Sequence, residues 1–161
     1  MPKFVLRKAE PEDTSLVLSF IRQLAEYEKM TDEVQADEKT LYQSLFVQKI
    51  AHALIAEEDG KAIGFALYFY NFSTFVGRPG LYLEDIYIQP EYRKKGYGTI
   101  IFQRLANIAL EEGCGRMEWT CLDWNEPSRQ FYRKMGAVTM DEWTVHRFTE
   151  ETIRKIAAGN L

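Results

Sequence analysis

Two rhythms of apolar residues run along the chain, one of period two and one near 3.6, and they divide it into strands and helices. Residues 3–7 form a short apolar run with charged ends, which predicts a first strand. Glu10-Pro11-Glu12-Asp13 then signals a helix start, with acids in the first turn. Leu16, Phe20, Leu24 and Tyr27 recur along one face of that helix to about Met30. Residues 37–47 predict a second short helix, with Leu41 and Leu45 one turn apart. Residues 53–58 and 62–70 predict two strands joined by Asp59-Gly60, a dipeptide suited to a tight hairpin turn. Residues 71–80 are expected to form a loop.

The next stretch organises the rest. Residues 81–88 are rich in β-branched and aromatic side chains and predict a central strand. Pro90 ends it, because proline cannot donate to a ladder. Gly96 and Gly98 make a turn, and a helix follows over residues 99–112, with Ile101, Leu105 and Ile108 on one face. Residues 116–122 predict a further strand. Residues 126–135 predict a helix, with Pro127 in its first turn and Gly136 at its end. Residues 138–148 are expected to hold one or two strands, and residues 150–158 a closing helix. The order is that of a layered, mixed α/β domain spanning residues 1–161.

A helix N-terminus behind a glycine turn carries about half a positive charge and unpaired N–H donors, so the turn is a ready anion site. Arg93, Lys94 and Lys95 add cations at its mouth. The P-loop pattern is absent, and Ile101 stands where a dinucleotide turn needs its third glycine. The net charge of −4 argues against general nucleic-acid affinity, so an anionic cofactor must be held by local cations. Cys114 and Cys121 form no disulfide framework and suggest a reducing compartment. No apolar run approaches membrane-spanning length, and Met1-Pro2-Lys3 leads straight into a strand. A cytoplasmic protein without signal peptide or membrane contact is expected. His52 and His146 have no metal-ligand spacing, and no metal is expected.

Arg93-x-x-Gly96-x-Gly98 resembles the pyrophosphate-binding turn of the GNAT superfamily of acyl-CoA-dependent N-acetyltransferases. The order of elements is similar to that fold as well. Lys3-Phe4-Val5, Leu24-Ala25-Glu26-Tyr27-Glu28, Tyr82-Leu83-Glu84-Asp85, Asp123-Trp124-Asn125-Glu126-Pro127-Ser128 and Phe131-Tyr132 resemble the spermidine/spermine N-acetyltransferase family, including its thialysine-acetylating branch. The resemblance implies a GNAT fold, with a mixed, mostly antiparallel sheet of about six to seven strands flanked by helices. It also implies a homodimer that acetylates a primary amine of a small cationic molecule with acetyl-CoA. Acetyl-CoA is then expected along Ile86, Tyr87 and Ile88, at Arg93, Lys94, Lys95, Gly96, Tyr97, Gly98 and Thr99, and at Asn125 and Ser128. The amine is expected beside Tyr27, Glu28, Glu84, Asp85 and Glu142.

Aminolysis of a thioester needs a base for the ammonium proton and an acid for the leaving thiolate. Glu84 and Asp85 are consecutive in a strand, so they point to opposite faces unless the strand is bulged there. The resemblance gives Glu84 the task of deprotonating the amine and Tyr132 that of protonating the thiolate. Ser128 and Tyr132 share one face of their helix. Asn125 suits either a bond to the pantetheine arm or a helix cap. Glu28 suits either a distal ammonium or an exposed helix position, and Glu142 lies on a segment shorter than in the family. Ser73 replaces an aspartate of polyamine-acetylating members, and Phe75 a tryptophan, which points to the thialysine-like branch. A protein N-acetyltransferase and a non-catalytic acyl-CoA-binding module are the alternatives.

Overall fold

β1 (Phe4–Lys8) pairs antiparallel with β2 (His52–Glu58) in the computed structural model, which describes residues 1–160. The chain divides into two compact units, Met1–Leu122 and a second beginning at Asp123. In the first unit α1 (Thr14–Tyr27) and α2 (Glu38–Tyr42) connect β1 to β2. Asp37 caps α2 by accepting the Thr40 N–H at 2.8 Å. The helix widens into a π turn over Gln43–Val47, so the second predicted helix is present in two gauges. Leu41 and Leu45, one on each part, are both buried.

Asp59 and Gly60 take left-handed backbone angles, φ 51° and 82°, and join β2 to β3 (Lys61–Ser73) as the sequence predicts. β3 pairs antiparallel with β4 (Arg78–Ile88). The expected loop over residues 71–80 is therefore mostly ladder, and only residues 74–77 turn. Phe72, Ser73 and Arg78 extend the strands because each finds a register partner across the hairpin, and Gly77 closes the turn at φ 73°. A long crossover, α3 (Tyr97–Glu111), returns the chain so that β5 (Arg116–Trp119) lies parallel to β4. The sheet thus follows chain order, β1-β2-β3-β4-β5.

Helices flank this sheet, so β2 and β3 are apolar without strict alternation: Leu54, Ile55 and Ala56 are all fully buried. Val17, Leu18 and Phe20 of α1 pack with Leu41, Leu45, Ile55, Phe65, Leu67 and Tyr87. Ile101, Leu105 and Ile108 are buried along α3 as their spacing predicts. A smaller cluster joins Ala56 and Ile63 to Tyr97 in the first turn of α3, where the Tyr97 ring stacks on Phe4 at 4.0 Å. Among the described residues no helix is long and apolar enough to cross a membrane.

The second unit holds α4 (Glu126–Lys134) and α5 (Glu150–Ala157). Residues 138–148, expected to give one or two strands, form none. Their alternation is real, but Val138, Met140, Trp143 and Val145 are exposed at 82%, 60%, 74% and 76%. A strand is stable only against a partner, and here no ladder is made. The described sheet consequently has five strands rather than six or seven.

Candidate active site

The ladder between β3 and β4 slips once. Leu67 faces Asp85 while Tyr68 faces Leu83, so Glu84 is the extra residue of a β-bulge. The bulge removes the simple opposition of two consecutive side chains. Glu84 is exposed, and Asp85 is half-buried beside it. Glu28, half-buried where α1 ends, belongs to the same acidic cluster. Burial first, then the carboxylates of Glu84 and Glu28, push the Asp85 carboxyl up to about 7. Burial and Glu84 likewise hold Glu28 above the usual carboxylate range. A carboxyl near 7 is shared between its acid and base forms at neutral pH, which is where a proton acceptor works best.

The end of α1 is set by its backbone. The Met30 N–H bonds the Ala25 carbonyl at 2.8 Å and the Lys29 N–H bonds that of Glu26 at 3.1 Å, with Lys29 left-handed at φ 60°. This is a Schellman ending, with lysine where glycine is commonest. It leaves Tyr27 and Glu28 next to the C-terminal half of β4. The Arg93 guanidinium lies over the Tyr27 ring at 4.9 Å and over the Tyr87 ring at 5.4 Å. Its Nε–H donates to the Ile88 carbonyl at 2.7 Å.

The glycine turn follows at once. Gly96 is left-handed, φ 83°, and precedes the first residue of α3. The first helical bond runs from the Ile100 N–H to the Gly96 carbonyl at 3.3 Å, so the N–H groups of Tyr97, Gly98 and Thr99 point out of the helix end. Lys95 Nζ is held by both Glu58 oxygens, at 3.1 and 2.9 Å, and the Tyr97 hydroxyl also donates to Glu58. That bond is the main reason the Tyr97 phenol is pushed up to about 12. Glu58 thereby ties the first turn of α3 to the β2–β3 hairpin. Lys94, exposed and left-handed at φ 64°, stands at the mouth.

β5 stays paired with β4 only as far as Leu83–Trp119. β4 runs on to Ile88, so Ile86, Tyr87 and Ile88 lie past the end of that ladder. The backbone edge from Glu84 to Ile88 therefore opens between the acidic bulge and the glycine turn.

In the second unit Asn125 caps α4: its side-chain oxygen accepts the Ser128 N–H at 3.4 Å, and the residue is buried. Of the two uses open to Asn125, the helix cap is therefore made. Tyr132 is half-buried in the last turn of α4, with its ring 5.6 Å from that of Phe131. Glu142 is exposed within the irregular segment.

Ser73 takes part in the turn between β3 and β4. It is buried, and its hydroxyl accepts the Val76 N–H at 3.2 Å, which closes the β3–β4 turn. It pairs with Arg78, while Asp85 pairs with Leu67. At about 3.3 Å per residue, roughly 20 Å of strand separate the two positions.

Tyr27 and Glu28 are brought to the bulge acids and to Arg93 across a long stretch of chain. The stack of Arg93 on Tyr27 and Tyr87 has no local signal, because Tyr27 and Arg93 are 66 residues apart. The hold of Glu58 on Lys95 and Tyr97 is hidden for the same reason. Among the described residues no group of three or more His, Cys, Asp or Glu side chains is gathered for a metal ion.

A mixed sheet whose fourth strand is bulged at a pair of acids, and which leads through a left-handed glycine into a crossover helix, defines an acyl-transfer domain of the acetyltransferase type. The chain belongs to the acetyltransferase (GNAT) family, whose profile matches residues 18–137. It is 36% identical over 165 residues to thialysine N-epsilon-acetyltransferase of Bos taurus, covering 95% of this chain and 96% of that protein. It is 38% identical over 103 residues to an L-ornithine N5-acetyltransferase of Arabidopsis thaliana, covering 64% of this chain and 45% of that protein. Among solved structures, an integron cassette protein from the mobile metagenome of V. cholerae superposes with a TM-score of 0.78 at 26% identity, covering 96% of this chain and 97% of that one. The fold is the GNAT fold and the protein is an N-acetyltransferase.

Proposed function

We propose that the protein transfers the acetyl group of acetyl-CoA to the distal primary amine of a small amino acid of the thialysine, ornithine or lysine kind. The observation that carries this reading is the acidic cluster at the bulge, with Asp85 at about 7 among Glu84 and Glu28. Such a cluster attracts an ammonium group and holds a base that can take its proton. Two relatives, the bovine thialysine and the plant ornithine enzymes, are named for amino acids that carry a distal amine.

Acetyl-CoA supplies the activated acyl group and a thiolate leaving group. The residues present fit it. Its pyrophosphate suits the outward N–H groups of Tyr97, Gly98 and Thr99, with Lys94 beside them. Its pantetheine amides suit the free edge of β4 at Ile86 to Ile88. In the reaction the amine nitrogen forms a bond to the acetyl carbon and the carbon–sulfur bond breaks. The ammonium proton passes to the Glu84–Asp85 pair, the Tyr132 phenol gives its proton to the departing sulfur, and the second proton that the nitrogen sheds in becoming an amide restores the phenol. Asn125 and Ser128 serve by forming the start of the helix that carries Tyr132.

The test is a competition assay with acetyl-CoA and an equimolar mixture of thialysine, ornithine, lysine, putrescine, spermidine and spermine, read by product mass. The amino acids with distal amines are expected to be acetylated first. A preference for spermine would reject the substrate class, and failure to acetylate any amine would reject the reaction.

The cofactor site is tested separately. Nothing lies within 4 Å of a Cβ built on Gly96, so a side chain there meets no clash. The obstacle is conformational, since φ 83° is left-handed and disfavours a β-branched residue. Gly96→Val is expected to weaken acetyl-CoA binding at least about tenfold in titration calorimetry while the domain remains folded. Unchanged affinity would move the pyrophosphate elsewhere.

A further inference from the structure

We propose that Arg93 is a positioning residue for the amine site: it clamps the end of α1 to β4 and so holds Glu28 beside Glu84 and Asp85. The inference rests on the acidic cluster being the amine site, as proposed above. Arg93 opens the glycine-turn pattern, and its place in the sequence points to the anion. Its side chain goes the other way. The guanidinium is spread over two tyrosine rings, one on α1 and one on β4, and its Nε–H is committed to the Ile88 carbonyl.

The geometry gives this contact a purpose. Tyr27 is the last residue of α1, and Glu28 is the next. Beyond Glu28 the chain turns through a left-handed lysine, a backbone state that glycine adopts more easily. Glu28 also carries an electrostatic penalty: its carboxyl is desolvated and lies near Glu84. Repulsion between acids pushes the end of α1 away from β4, and the Arg93 stack opposes that push. The guanidinium charge does not neutralise Asp85, whose carboxyl is governed by burial, Glu84 and Glu28. Arg93 thus joins α1 to β4 without cancelling the negative potential that receives an ammonium group. Its backbone also leads into the turn at Gly96, so one residue connects the two halves of the candidate site.

Lysine cannot reproduce this contact in full. An ammonium can lie over one ring, but it lacks the planar face that stacks and the Nε–H that reaches Ile88 at the same time. Arg93→Gln keeps a planar polar group and loses the cation.

The experiment compares wild type, Arg93→Lys and Arg93→Gln by three measurements. The first is amide hydrogen exchange at Glu28, Lys29 and Met30, whose N–H groups close the end of α1. Exchange there is expected to rise about tenfold in Arg93→Gln and less in Arg93→Lys, with the amides of α3 from Ile101 to Ile108 unchanged. The second is acetyl-CoA affinity without amine, expected to stay within about twofold of wild type. The third is the KM for the preferred amine, expected to rise about tenfold in Arg93→Gln and to be partly rescued in Arg93→Lys. Acetyl-CoA affinity that falls tenfold while amine KM is unchanged would overturn the proposal and assign the guanidinium to the anion. Unchanged exchange at the end of α1 would also overturn it. If the wild type acetylates no amine, the proposed function fails, and the exchange measurement still decides whether Arg93 is the clamp.

Discussion

Replacing Asp85 by Asn is expected to lower kcat/KM by about 10² or more and to remove the acid limb of its pH profile. The wild-type limb should fall at about 7, where burial, Glu84 and Glu28 place the Asp85 carboxyl. Below that pH the carboxyl holds a proton and cannot accept another; above it the carboxylate is free. The basic limb belongs to the substrate, since only the ammonium form is drawn into an acidic cluster. Glu84→Gln gives a contrasting result. It removes one of the like charges that raise Asp85, so the acid limb should survive and move to lower pH. If the limb vanishes in Glu84→Gln and persists in Asp85→Asn, then Glu84 is the proton acceptor and Asp85 supports it.

The same carboxyl links stability to pH. Its folded value lies above its unfolded value, so the native state keeps the proton more tightly than the unfolded chain. At pH below the ordinary carboxylate range both states are protonated and the site carries no penalty. As pH rises from about 4 to about 7 the unfolded chain releases its proton first, and the fold loses stability across that window. Asp85→Asn abolishes the change. Thermal melts at pH 4.5 and 8 should therefore show the mutant gaining on wild type at the higher pH, the reverse of its effect on activity.

The sequence made the turn from β4 into α3 legible because its signals are local. The strand residues, Pro90, Gly96 and the spaced apolar residues of α3 lie within some thirty positions, and each acts on its own backbone. Asp59-Gly60 was legible on the same grounds. Features decided across the sheet were not. Glu84 and Asp85 alternate faces in any isolated strand, and only the register of β3 against β4 makes Glu84 a bulge. Phe72 and Ser73 follow Asn71 in a polar context that suggests a loop, yet their partners across the hairpin make them strand. The alternation over residues 138–148 shows the converse, a strand pattern that makes no ladder. Glu28 could be judged neither exposed nor functional until the end of α1 was placed near Glu84. Arg93 shows how position in a motif can mislead about a side chain: the turn it begins suits an anion, while its guanidinium serves two tyrosines contributed by distant elements.

Tyr132→Phe is the most direct test of how the leaving thiolate acquires its proton. The substitution removes one oxygen and keeps the ring, which lies beside Phe131 in the last turn of α4. The backbone around it is fixed independently, since the Tyr132 carbonyl accepts the Ala137 N–H at 3.1 Å. The mutant should therefore fold, and its affinity for acetyl-CoA should change little. Its kcat should fall by about 10² or more, the scale on which a positioned acid or base acts. The loss should appear in kcat and kcat/KM together, because the proton is transferred only as the carbon–sulfur bond breaks. Single-turnover measurements establish whether that step limits the rate. An acyl donor whose thiol is more acidic needs less help from an acid, so the penalty of the mutation should shrink with such a donor. If Tyr132→Phe retains wild-type kcat while chemistry is rate-limiting, the phenol is part of the packing of α4 and the thiolate takes its proton from another donor.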